Sequence, residues 1–140
     1  MAKTIDPKKV IITFGDQSIS GFADGTFLEI EMAEDGIVSV AGADGEVARA
    51  INRSPLASVT ITLLQTSESN DYFTAQHKLD KETGQGKLPL MVRDLFGKEL
   101  LIASQAWVRK PATISRSKEV ESREWVLDCQ VETLVVGGNY

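Results

Sequence analysis

The chain has 140 residues, 42% apolar and 25% charged. That is the composition of an ordinary globular protein, not of a disordered chain, a collagen or a disulfide scaffold. A net charge of −5 and a pI near 4.9 have the wrong sign for a protein that grips DNA through its phosphates.

The N-terminal segment from Met1 to Lys9 is charged and lacks the apolar core of a signal peptide, which predicts a chain that stays in the cytoplasm where it is made. No apolar run reaches the ~18–20 residues of a membrane span, so no membrane anchor is expected. Residues 10–14 form a short apolar strand, followed by the turn-like run Gly15-Asp16-Gln17-Ser18. Residues 27–32 alternate, with Leu28, Ile30 and Met32 on one side and Glu29 and Glu31 on the other, the pattern of a half-buried strand. The pairs Asp24-Gly25, Asp35-Gly36 and Asp44-Gly45 each read as a turn.

Residues 36–57 carry Ile37, Val38, Val40, Val47 and Ile51 on a weakly patterned segment, too apolar for a solvated loop. Two readings stand: a plain hairpin, or an extension that buries its apolar residues on another subunit. Alternation returns at 58–64, where Val59, Ile61 and Leu63 oppose Thr60, Thr62 and Leu64. A helix is predicted over 67–82, with Ser67 or Ser69 as its cap. Tyr72, Phe73, Gln76 and Leu79 lie on its inner face, and Gly84 and Gly86 end it. Strands follow at 87–93, at 100–109 and at 124–136. In the first of these Pro89 suggests an edge or a strand end. In the last, Trp125, Leu127, Cys129, Val131 and Thr133 oppose Asp128, Gln130 and Glu132. The whole reads as one mainly-β domain.

Chemistry is sparse. The single cysteine, Cys129, falls on the apolar side of its strand and reads as a buried thiol; the single histidine, His77, reads as a surface residue. One Cys and one His cannot build the usual zinc site, and no phosphate-binding glycine loop is present, so neither metal nor cofactor is expected. Ser115-Arg116-Ser117-Lys118 matches the S-x-x-K spacing of serine acyl enzymes without their remaining motifs, and Asn52-Arg53-Ser54 matches a glycosylation acceptor that is followed by Pro55. Glu29 and Glu31 share a strand face, as the carboxylate pair of a hydrolase or sugar-binding protein does, but a solvated strand face explains them better, since such pairs are common. No catalytic residue is assigned.

The blocks Phe27 to Gly36, Gly42-Ala43-Asp44-Gly45-Glu46-Val47, Ser58 to Ser67, Trp107 to Pro111 and Glu124 to Cys129 follow one another in an order and spacing similar to the tail tube proteins of contractile-tailed bacteriophages. The tail after Cys129, ending Val136-Gly137-Gly138-Asn139-Tyr140, departs from that pattern. The resemblance implies a non-enzymatic building block of the virion tail, made in the host cytoplasm. Its fold would be a small β-barrel or β-sandwich with one flanking helix, an N-terminal arm over 1–9 and a long stacking loop over 36–57. Hexameric rings would stack head to tail into a tube inside a sheath. The partners implied are further copies of the chain, the tail sheath protein, the baseplate hub, the tail terminator and a tape measure protein in the lumen. Genomic DNA would pass through without specific binding. On this reading Glu29, Glu31, Thr60 and Thr62 face the lumen, where negative charge repels phosphate. Val38, Val40, Val47, Arg49, Ile51 and Arg53 make the contact between rings. A different ring component on the same fold, a tail terminator or a type VI secretion tube, is the alternative.

Overall fold

The computed structural model describes residues 2–140. Nine strands and one α-helix follow a single 3₁₀ turn at Pro7–Lys9. They are β1 (Val10–Phe14), β2 (Gln17–Ser18), β3 (Leu28–Met32), β4 (Ile37–Ala41), β5 (Val47–Ile51), β6 (Leu56–Leu64), α1 (Ser69–Thr83), β7 (Leu88–Asp94), β8 (Leu100–Lys110) and β9 (Ser122–Val135). Seven strands form one antiparallel sheet in the order β2-β1-β7-β8-β9-β6-β3, and β4 and β5 form a separate two-stranded sheet. The mainly-β class with one flanking helix is the one the sequence predicts.

The sheet coils on itself. Val10 and Val92, from β1 and β7, line the same cleft as Leu28 and Ile30 of β3 at the far edge of the sheet. One contiguous apolar core fills the inside, built from Ile12 and Phe14, Val59, Ile61 and Leu63, Leu90 and Val92, Leu101 and Val108, and Leu127 and Cys129. In β1, β6, β7 and β9 these are alternate residues, because successive side chains point to opposite faces of a sheet; in β8 the alternation changes phase at the register shift between Ala103 and Gln105. The result is an open barrel rather than a two-sheet sandwich.

Helix α1 closes the barrel. Phe73 is fully buried, 5.3 Å from the Trp125 ring and 6.0 Å from that of Phe14. Polar groups pin the same contact. Trp125 Nε1 donates to Asn70 Oδ1 at 2.8 Å, Asn70 Nδ2 donates to the Leu64 carbonyl at 3.0 Å, and the Tyr72 hydroxyl donates to the Phe14 carbonyl at 2.8 Å. Gly84 ends the helix in the left-handed region at φ 73°, which only glycine enters without cost.

Several local expectations change. Leu79 is 41% exposed, because the inner face of α1 runs through Ser69, Tyr72, Phe73, Gln76 and His77. His77 is half-buried, with Nδ1 3.1 Å from the Val108 carbonyl, and ties the helix to β8 instead of standing free on the surface. Ser67 Oγ accepts the Ser69 amide at 3.2 Å at the start of the helix, and both serines also hold the chain at Ser20: the Ser67 hydroxyl donates to the Ser20 carbonyl while the Ser20 amide donates to Ser69 Oγ. Strand β7 is central, between β1 and β8, so Pro89 marks a strand end only; it is tolerated at the irregularity between Leu88 and Leu90, where the ladder to β8 shifts register. Register shifts near Ala103 break the alternation of β9, and Leu134 rather than Thr133 packs on the core. Gly25 and Gly45 adopt positive φ as turn residues, whereas Gly36 does not; its carbonyl instead accepts the Asn52 amide at the base of the β4–β5 hairpin. The C-terminal tail, unmatched by sequence pattern, pairs with the β7–β8 turn through a bridge between Gly97 and Asn139.

Cys129 is buried, as its alternation requires. Burial, helped by neighbouring Asp128, pushes its thiol from an ordinary 9.0 up to about 11. Burial, with Asp16 nearby, raises Tyr72 in the same direction. Both groups stay neutral in the folded chain at pH values where the unfolded chain ionises them. The Cys129 contribution is present below pH 9 and is lost as pH climbs through about 11; that of Tyr72 is present below its ordinary 10.0 and falls away at higher pH. Urea titrations across this window are expected to show falling stability, with a shallower fall in Cys129→Ala. Phe73→Ala is expected to cost roughly 3–5 kcal/mol in the same assay at neutral pH, as for other large-to-small core substitutions.

Candidate assembly surfaces

Two surfaces carry the residues singled out by sequence. The first is the outer face of β3, β6 and β9. Antiparallel register sets Glu29 opposite Thr60 and Thr60 opposite Val126; Thr62 stands opposite Glu124; Glu31 stands opposite Ser58, and Ser58 opposite Asp128. Opposed residues share a face. The four predicted polar residues therefore lie together, Glu29 and Glu31 exposed and Thr60 and Thr62 half-buried. Glu124, Ser58 and Asp128 complete the face. Sequence reasoning placed Asp128 on the polar side of its strand but gave neither it nor Glu124 a role. The alternation alone held the signal; the neighbouring strand did not.

Charge on this face is mostly uncompensated. Asp128 is held by Arg109, whose Nη2 lies 2.5 Å from Oδ1 and whose Nε donates at 3.1 Å and 3.2 Å. The hydrogen bonds to Asp128 raise the guanidinium further above its already high pKa. Among the described residues Glu29, Glu31 and Glu124 form no ion pair. Glu29 and Glu31 project from one strand of an exposed sheet face, unlike a glycosidase pair, whose carboxyls flank a bound sugar. Among the described residues, no group of three or more His, Cys, Asp or Glu side chains is placed to hold a metal ion.

The second surface is the β4–β5 hairpin. Every residue of both strands is exposed. Register pairs Ile37 with Ile51, Ser39 with Arg49 and Ala41 with Val47 on one face, and Val38 with Ala50 and Val40 with Ala48 on the other. Val38, Val40, Val47, Ile37 and Ile51 remain 49–69% exposed. The hairpin of the sequence reading is present, and the core of its own chain does not cover it. Its base is tied down: the Asn52 side chain donates to the Glu34 carboxylate, the Asn52 amide donates to the Gly36 carbonyl at 2.8 Å, and the Ser54 amide donates to Asn52 Oδ1. Arg49 and Arg53 form no ion pair among the described residues. A two-stranded ribbon with apolar residues on both faces is marginal in water by itself, and exposed apolar patches of this kind mark interaction sites.

The model of the bacteriophage PhiTE tail tube protein family matches residues 10–137, nearly the whole chain. The chain belongs to this family. It is a tail tube structural protein of the phage virion, and the mainly-β fold and the uncovered hairpin are features of that building block. Structural protein ORF10 of Pseudomonas phage KPP10 is 29% identical over 124 residues, covering 87% of this chain and 72% of that protein. Among solved structures, the tube-terminating cap of the anti-feeding prophage superposes with a TM-score of 0.57 at 13% identity over 93% of this chain and 89% of that one. A chain of the sheath-tube complex of the PVC extracellular contractile injection system gives 0.53 at 15% identity over 94% and 93%. At such identities these two establish the shared fold.

The hairpin contributes nothing to the core, so its apolar residues are not needed for folding. Val40→Asp is expected to change the unfolding free energy of the dispersed chain by no more than about 0.5 kcal/mol, as for other surface substitutions, when followed by urea titration.

Proposed function

We propose that this tail tube protein assembles into hexameric rings that stack head to tail into a hollow tube within a contractile sheath. The observation that carries the reading is the β4–β5 hairpin, apolar on both faces and covered by nothing in its own chain. A cyclic ring and a stack both join unlike surfaces of the same subunit, so each copy must both offer and receive. The hairpin supplies an offered element: Val38, Val40, Val47 and Ile51 would lose water against the adjoining ring, and Arg49 and Arg53 would meet acidic groups there. The outer edge of β3 is unpaired in the chain, and pairing with the sheet of a ring neighbour would satisfy it.

The polar face of Glu29, Glu31, Thr60 and Thr62, extended by Ser58 and Glu124, is assigned to the lumen. Uncompensated carboxylates there repel phosphate, so DNA and a tape measure protein pass without sticking. The sheath, the baseplate hub and the tail terminator are the other partners, in a virion tail put together in the host cytoplasm. A tube terminator is the second reading, favoured by the fold shared with the prophage cap; the match to a tail tube family weighs against it. An enzymatic role for Glu29 and Glu31 has no support in their open placement on a sheet face.

Negative-stain electron microscopy of the concentrated chain is expected to show rings with sixfold end views and hollow tubes; single rings that never stack would favour the terminator. Val40→Asp should leave rings and remove tubes. Glu29→Lys with Glu31→Lys should leave assembly intact but make tubes retain duplex DNA at low salt, measured by co-sedimentation, with wild-type tubes retaining none. Equal retention by both would remove these residues from the lumen.

A further inference from the structure

The hairpin needs a receptor, and the strand topology restricts where one can be. The hairpin connects β3 to β6 and leaves the barrel beside Met32 and Leu56. Strand β6 then runs nine residues to Leu64, a distance of roughly 26–30 Å at ~3.3 Å per residue. Leu64 pairs with Ser122, the first residue of β9. The segment 111–121, between β8 and β9, therefore lies at the opposite end of the barrel from the hairpin.

That segment has unusual properties for a loop. It carries Ile114 at 78% and Val120 at 59% exposure, two aliphatic side chains open to water. It holds two cations, Arg116 and Lys118, close together at its middle, and two carboxylates, Glu119 and Glu121, follow them. Arg116 and Lys118 form no ion pair among the described residues. The loop is nevertheless fixed in place. Arg123 is buried, and its guanidinium donates to the Ser115 carbonyl at 3.0 Å and to the Ser122 carbonyl at 3.0 Å. The Gln65 amide donates to the Glu121 carbonyl at 3.0 Å, and the Glu121 amide donates to Gln65 Oε1 at 3.0 Å. A buried cation is expensive to maintain without a carboxylate partner. Here that cation anchors, near its centre, a loop that presents Arg116, Lys118 and two exposed aliphatic side chains.

The tip of the hairpin is the complement. Asp44 and Glu46 flank Gly45 there, and the aliphatic pairs of β4 and β5 stand directly behind them. We propose that the loop 111–121 is the receptor for the β4–β5 hairpin of the next copy. Arg116 and Lys118 meet Asp44 and Glu46, and Ile114 and Val120 cover hairpin aliphatics. The match rests on the stacking reading above and gives it an acceptor. It also gives a role to Ser115-Arg116-Ser117-Lys118, the motif whose spacing suggested chemistry that the fold does not support. Placing donor and receptor at opposite ends of one barrel makes the contact head-to-tail and open, so it propagates instead of closing on a dimer.

The test is a disulfide trap in the full chain. One variant carries Ala43→Cys in the hairpin tip and the other Ser117→Cys in the loop. Cys129 stays in place, since a buried thiol with a pKa of about 11 does not react at neutral pH. The two variants are mixed, concentrated, oxidised and run unreduced, with microscopy of the same samples. The expected result is a dimer joining the two variants, about tenfold above the dimer that either gives alone, because docking raises the effective concentration of the pair. Tubes without that mixed dimer overturn the receptor while leaving the stacking reading intact. Absence of both tubes and dimer overturns the two together.

Discussion

A single sheet has two faces and two edges, and the molecule is organised by the need to bury one face while leaving the other usable. Coiling seven strands around one core brings β3 near β1 and β7 without joining them, and elsewhere the core needs a cover from outside the sheet. Phe73 supplies it. Its ring sits between Trp125 and Phe14, and Asn70 and Tyr72 on the same helix hydrogen-bond to the strands beneath. Each half of this contact depends on the other: the rings need the helix held close, and the buried indole N–H needs the Asn70 oxygen. With the core closed by one short helix, the outer sheet face is left free for another use.

Burial within the chain and burial between chains divide the apolar residues cleanly. Those of β1, β6, β7, β8 and β9 that alternate inward are covered by their own sheet and helix. Those of β4 and β5 are covered by nothing in the subunit. The first set forms the core of the folded chain; the second set stays exposed in the subunit and is the surface proposed above for contact between copies. On the proposed function, this separation lets the subunit fold before assembly and still gain apolar burial on assembly. The outer face of β3, β6 and β9 belongs to neither set, and Glu29, Glu31 and Glu124 on it have no ion-pair partner among the described residues.

The alternation of Leu28, Ile30 and Met32 against Glu29 and Glu31 was enough to read β3 and its polar side, because a side-chain period of two is a property of any strand. The same holds for β6 and for most of β9. What failed was wherever a neighbour overrode local pattern. Leu79 has the spacing of an inner helix residue, but the helix is rotated by Tyr72, His77 and their bonds to Phe14 and Val108. Thr133 lost its inward place to Leu134 because β9 carries an extra, unpaired residue, Glu132, between Val131 and Thr133 in the ladder to β8. Pro89 does mark a strand end, one of its two readings; the other, an edge, fails because β7 is central, and the proline is tolerated where the ladder to β8 is irregular.

By itself the sequence determined the mainly-β class, the helix near residues 67–82, the burial of Cys129, the polar character of one strand face and the excess of apolar residues over 36–57. All of these are carried by residues near one another along the chain, so local periodicity suffices to reveal them. The tertiary structure decided which strands lie side by side, and hence that Glu124 and Asp128 join Glu29 and Glu31 on one face. It also decided that the hairpin and the loop at 111–121 stand at opposite ends of the barrel. Strand order and register come from contacts between distant segments competing for one core, and no local pattern encodes that outcome.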